Sequence, residues 1–102
     1  MRASHNVDPR AFATIAEVLS SINDPLEMRR FLGELLTPGE IRDITLRWTL
    51  LERLAEGTPQ RRIAEELQIS LCKITRGSRI MKQKGAVTAR VLEKRAVREG
   101  KR

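Results

Sequence analysis

One helix constrains this chain more than any other segment. At about 100° per residue, Ile41, Ile44, Trp48, Leu51 and Ala55 share one face of the stretch from Pro38 to about Glu56. Leu46, Leu50 and Leu54 form a second apolar face on roughly the opposite side. A surface helix needs only one apolar stripe, so a helix apolar on two sides must be buried between two layers. A chain of 102 residues has room for one domain and little more, and the second layer is expected from another subunit. The only aromatic residues are Phe12, Phe31 and Trp48, so the core must be aliphatic. No segment sustains period-two alternation, which favours an all-α chain.

The other helices are marked by their start signals. Asp8-Pro9 pairs a capping acceptor with Pro at the first helical position, opening a helix through Phe12, Ile15, Ala16 and Leu19 that stops at Ser20-Ser21. Asn23-Asp24-Pro25 opens a second helix through Met28, Phe31, Leu32 and Leu35. Thr37-Pro38-Gly39-Glu40 has capping-box spacing at the start of the central helix, and Gly57 suits a left-handed cap at its end. Then follow Gln60–Leu67, a turn Gln68-Ile69-Ser70 with Ser70 as cap, Leu71 to Lys82, and Val87 to about Arg98. The expected organisation is a single helical domain over residues 8–98, with flexible ends at 1–7 and 99–102.

Charge is distributed unevenly. Residues 1–59 carry seven Arg against nine Asp or Glu, whereas residues 60–102 carry thirteen Lys or Arg against four Glu. A basic half of this kind points to a polyanion, most commonly nucleic acid. A membrane surface fits poorly, because the helices lack a broad apolar face flanked by Trp and Phe. There is no signal peptide or transmembrane run. Cys72 is alone, so no intrachain disulfide can form; a reducing, cytoplasmic location is expected. No metal-spaced cluster, phosphate loop or nucleophile–base pair is readable, and an enzyme is not expected.

The pair of helices over about 60–83 carries the functional signal. Ala64 is small enough for close crossing, and Ile63, Leu67 and Ile69 point inward. The second helix is expected to bury Leu71, Ile74 and Met81, with Gly77 and Ser78 at a close approach. This is the pattern of a helix-turn-helix, which lays its second helix into the major groove of DNA. The usual turn Gly is absent, and Gln68 takes its place. Arg47 lies in a seam of the central helix with Asp43 one turn earlier; an interfacial ion pair and an anion-binding role are both open to it.

Two motifs, Leu36-Thr37-Pro38-Gly39-Glu40 and Ile74-Thr75-Arg76-Gly77-Ser78, resemble the Trp repressor family, as does the spacing of Arg47, Gly57 and Gln60-Arg61. The resemblance covers about Leu35 to Lys84. It implies a six-helix subunit intertwined with its twin as a homodimer, and a transcriptional repressor that binds a double-stranded operator. It also implies an amino-acid corepressor, L-tryptophan, between the central and recognition helices, with no covalent cofactor. Arg47 and Arg76 would flank the aromatic ring, as planar guanidinium groups can. Arg76 would also take the carboxylate. Leu51 and Gly77 would lie against the ring, and Leu36 and Thr37 of the other subunit at the amino-acid end.

Toward DNA, the matching positions are Gln60, Arg61, Leu71, Cys72, Lys73, Thr75, Ser78, Arg79 and Lys82. Arg61 or Lys73 could read guanine. Thr75, Ser78 and Lys82 suit phosphates, and Cys72 suits close approach more than readout. Three residues depart from the family pattern: Ile80 replaces a Ser near the ligand ammonium, Lys73 a Thr, and Glu34 an apolar residue at the pocket rim. Ile80 either lines an altered pocket or packs on the partner subunit. The turn at Thr58-Pro59 is one residue shorter. The competing readings are a ligand-independent DNA-binding protein on the same scaffold and a basic module that meets RNA or an acidic protein.

Overall fold

A computed structural model describes residues 7–100; the flexibility expected for residues 1–6, 101 and 102 lies outside the described residues. The described residues form six helices: α1 (Pro9–Ser21), α2 (Pro25–Leu35), α3 (Pro38–Ala55), α4 (Gln60–Leu67), α5 (Leu71–Lys82) and α6 (Val87–Arg98). No strand occurs among them.

Each early helix begins where an oxygen-bearing side chain precedes a proline. The Asp8 carboxylate accepts from the Arg10 N–H at 2.9 Å and Asp24 from Leu26 N–H at 3.4 Å. At α3 the capping box closes in both directions: Glu40 N–H donates to Thr37 Oγ1 at 3.1 Å, and Thr37 N–H donates to Glu40 Oε1 at 2.8 Å. These bonds satisfy amides that have no intrahelical acceptor. The helix ends at Ala55, and Gly57 at φ 87° makes the left-handed exit.

The chain divides into two compact units, Met1–Ile41 and Arg42–Arg102. In the first, neither α1 nor α2 has a fully buried residue. Phe12 is 67% exposed and Leu26 66%. In the second, Leu50, Ile63 and Ile74 are buried together, with Leu54, Ala64, Leu67 and Ile69 packed against them. Leu92 of α6 is buried as well. The two apolar faces of α3 therefore have different fates. Leu50 lies in the core, whereas Ile44 on the opposite face is 52% exposed.

Candidate functional site

The α4–turn–α5 pair is held by a small core and by its caps. Ile63 and Ile74 are both wholly inaccessible to solvent, one from each helix, and Leu50 packs against them from α3. Between the helices, Gln68 adopts the left-handed conformation at φ 54°, ψ 47°. This is the position where a helix-turn-helix commonly carries Gly. Ser70 then caps α5, accepting from the Lys73 N–H at 3.3 Å. A charged link ties α4 back to α3: the Arg53 guanidinium donates to the Glu66 carboxylate, and Arg62 donates to the other Glu66 oxygen at 3.4 Å. The hydrogen bond from Arg53 holds the Glu66 carboxyl below its ordinary range, and the same bond raises Arg53.

Gly77 sets the distance between α5 and α3. A β-carbon there would stand 3.3 Å from a Leu54 methyl and 3.5 Å from methyls of Leu50 and Leu51. The close approach at Gly77 thus has a packing cause. Next to it a cavity of about 190 Å³ opens between the two helices. It is lined by Asp43, Leu46, Arg47, Leu50 and Leu51 of α3, Ile69 of the turn, and Lys73, Arg76, Gly77 and Ile80 of α5. The structure thus brings together Arg47, Leu51, Arg76, Gly77 and Ile80. Leu36 and Thr37 belong to the other compact unit and do not line it.

Helical geometry divides α5 into three faces. Taking Ile74 as the core direction and about 100° per residue, Lys73, Arg76, Gly77 and Ile80 fall on one flank, the cavity side. Leu71, Cys72, Thr75, Ser78, Arg79 and Lys82 fall on the opposite flank. All of the second group are exposed except the half-buried Ser78. Arg61 of α4 is also exposed, and Gln60 is half-buried. Two expectations need correction. Leu71 was expected inside but is 51% exposed, because it is rotated about 60° from Ile74, away from Gly77 and α3, and it sits in the first turn. Asp43 and Arg47 form no ion pair among the described residues; both instead line the cavity.

Sequence reasoning also missed Asp43, Leu46, Leu50, Ile69 and Lys73 as cavity residues. The signal was partly there. Asp43 and Leu46 precede Arg47 and Leu50 by one turn, and Lys73 precedes Arg76 and Gly77 by one turn. The cavity combines an apolar body with three cationic groups and a single carboxylate, a lining suited to an amphiphilic organic acid. Among the described residues no His/Cys/Asp/Glu group could hold a metal ion. No helix there is long and apolar enough to cross a membrane.

The chain has identifiable relatives. A Trp operon repressor homolog from Vibrio parahaemolyticus is 34% identical over 82 residues, covering 79% of this chain and 80% of the relative. One from Vibrio campbellii is 33% identical over the same length, covering 79% and 82%. No solved structure gives a significant match. The family model described as Trp repressor protein matches residues 10–96, nearly the whole described chain. Together with the six-helix architecture, this establishes that the chain belongs to the Trp repressor family.

Proposed function

We propose that the protein is a homodimeric, sequence-specific DNA-binding repressor whose operator affinity is controlled by an amino acid, L-tryptophan, held between α3 and α5. The observation that carries this reading is the division of α5 into opposite flanks. One flank walls a cavity that contains Arg47 and Arg76; the other is open and includes Thr75, Arg79 and Lys82. The exposed flank suits the major groove, with Arg61 and the first turn of α5 toward base edges and Thr75, Ser78 and Lys82 toward phosphates. Arg76 offers the planar, bidentate group that a ligand carboxylate needs, and Arg47 a guanidinium face for the indole. The protein acts in the cytoplasm, where its duplex is found.

Dimerisation has separate support. Phe12, Leu26 and Leu35 on the first two helices, and Ile41 and Ile44 on α3, are all exposed in the single chain. Burial of apolar surface contributes about 25 cal/mol per Å², and a second copy supplies that cover. It also brings its own Leu36 and Thr37 to the open end of the cavity.

The test is selection of bound duplexes from a random pool, with and without L-tryptophan, followed by sedimentation of the complexes. The expected result is a two-fold-symmetric sequence enriched only in the presence of tryptophan and bound by two chains. Arg61→Ala with Arg79→Ala should abolish that enrichment while helical content is retained. Enrichment of the same sequence without tryptophan would remove the ligand from the mechanism. Equal binding of every duplex, or preference for RNA, would overturn operator recognition itself.

A further inference from the structure

The cavity between α3 and α5 contains one acidic side chain, Asp43, facing three basic ones. No other side chain in its wall can accept a hydrogen bond: Leu46, Leu50, Leu51, Ile69 and Ile80 are hydrocarbon, Gly77 has no side chain, and Arg47, Lys73 and Arg76 are donors only. Asp43 is not consumed elsewhere; among the described residues it makes no ion pair, not even with Arg47 one turn away on α3. An α-amino acid entering this space brings a carboxylate and an ammonium group. The carboxylate has Arg76 and Lys73 to choose from. The ammonium must find an acceptor, because a desolvated cation without one is strongly disfavoured.

We propose that Asp43 is the specificity-determining residue for the ligand's α-ammonium group, so that the cavity distinguishes an amino acid from the corresponding acid without the amine. This rests on the reading of the cavity as the ligand site. It assigns the ammonium to a side chain of α3, in a wall where Ile80 on α5 offers no acceptor. Asp43 then does two things at once. It pairs with the ammonium, and it offsets part of the excess positive charge that Arg47, Lys73 and Arg76 place around the ligand.

The experiment compares two probes, L-tryptophan and indole-3-propanoate, by calorimetry against the full-length protein and its Asp43→Asn variant. Asp43 is solvent-exposed and Asn preserves its shape, so folding, checked by circular dichroism, is retained. A charge-assisted hydrogen bond contributes on the order of tenfold to a hundredfold in affinity. The expected result is that Asp43→Asn weakens tryptophan by that factor while indole-3-propanoate binds as well as before or better, because it loses a repulsive carboxylate. Arg76→Ala should weaken both probes. Equal weakening of both by Asp43→Asn would assign Asp43 a merely structural role and overturn the proposal. So would an unchanged tryptophan affinity. Absence of binding by either probe to the unmodified protein would instead strike at the ligand site as a whole, and the proposal would fall with it.

Discussion

Gln68 is the most direct place to test how the helix pair is held, because its conformation works against its chemistry. At φ 54°, ψ 47° it is the only non-glycine residue with positive φ among the described residues. Left-handed backbone costs an L-residue about 1–2 kcal/mol. Replacing Gln68 with Gly removes that cost but adds back about 0.4–1 kcal/mol through the greater freedom of the unfolded chain. Nothing else is lost: the side chain is exposed, and the amides of Gln68 and Ile69 that bond to the Ala64 carbonyl are backbone groups. The net gain expected is about 1 kcal/mol per chain. For a domain this size that raises Tm by about 4–8 °C. A dimer unfolding as one unit doubles both the gain and the unfolding entropy, so the shift is the same. Thermal denaturation followed by circular dichroism at fixed protein concentration measures it, with Gln68→Ala as the control that keeps the strained backbone. If Gly and Ala variants melt together, or Gly melts lower, the strain assigned to this turn is not there.

Two further substitutions separate stability from recognition along α5. Ile74→Ala empties a fully buried position and is expected to cost about 2–5 kcal/mol in urea denaturation, whereas Leu71→Ala, half-exposed, should cost about 1 kcal/mol or less yet weaken DNA binding. A large stability loss at Leu71 would mean that it is covered in the folded protein. The Glu66 carboxyl is held low chiefly by the Arg53 hydrogen bond. Its stabilisation is therefore complete above the unfolded carboxyl pKa, about 4.3, and is lost as pH falls through the lower folded value. Glu66→Gln should be less stable than the unmodified protein near neutrality, with the two denaturation curves converging in acid. A difference that does not change with pH would rule out this ion pair as its source. Because the pair is solvent-exposed, the effect should also shrink in high salt.

Much of this fold can be read from local chemistry. The starts at Pro9, Pro25 and Pro38 follow from Asp8, Asp24 and Thr37, whose capping bonds involve only neighbours in sequence. The bounds Gln60–Leu67, Leu71–Lys82 and Val87–Arg98 follow from periodicity and from turn residues. What resisted reading is what depends on which neighbour occupies each side of a helix. Periodicity placed Leu71 near the Ile74 face, but only the position of α3 on the Gly77 side decides that Leu71 is left outside. Lys73 looks like a groove-facing cation from its sequence context, and the same geometry turns it toward the cavity. Asp43 and Arg47 have the spacing of a helical ion pair, yet the space across from them decides how they are used. The Arg53–Glu66 link, thirteen residues apart in sequence, carried no periodic signal at all.

The arrangement of α5 explains how a small ligand and a long polyanion can communicate through one helix. The ligand flank and the groove flank share no residue, so a ligand in the cavity need not touch DNA to affect its binding. What they share is the seating of α5 on α3, which rests on Ile74 and on the close approach at Gly77. A ligand can shift that seating only by its difference in affinity between two positions of α5. An affinity gain of tenfold for the operator corresponds to about 1.4 kcal/mol of such difference. Thermodynamic linkage then requires operator DNA to raise ligand affinity by the same factor. A helix that packed on α3 through a deep, rigid core would resist this. Here the contact is narrow, one isoleucine and one glycine beside an open cavity, and a narrow contact is what allows a modest ligand energy to move a reading helix.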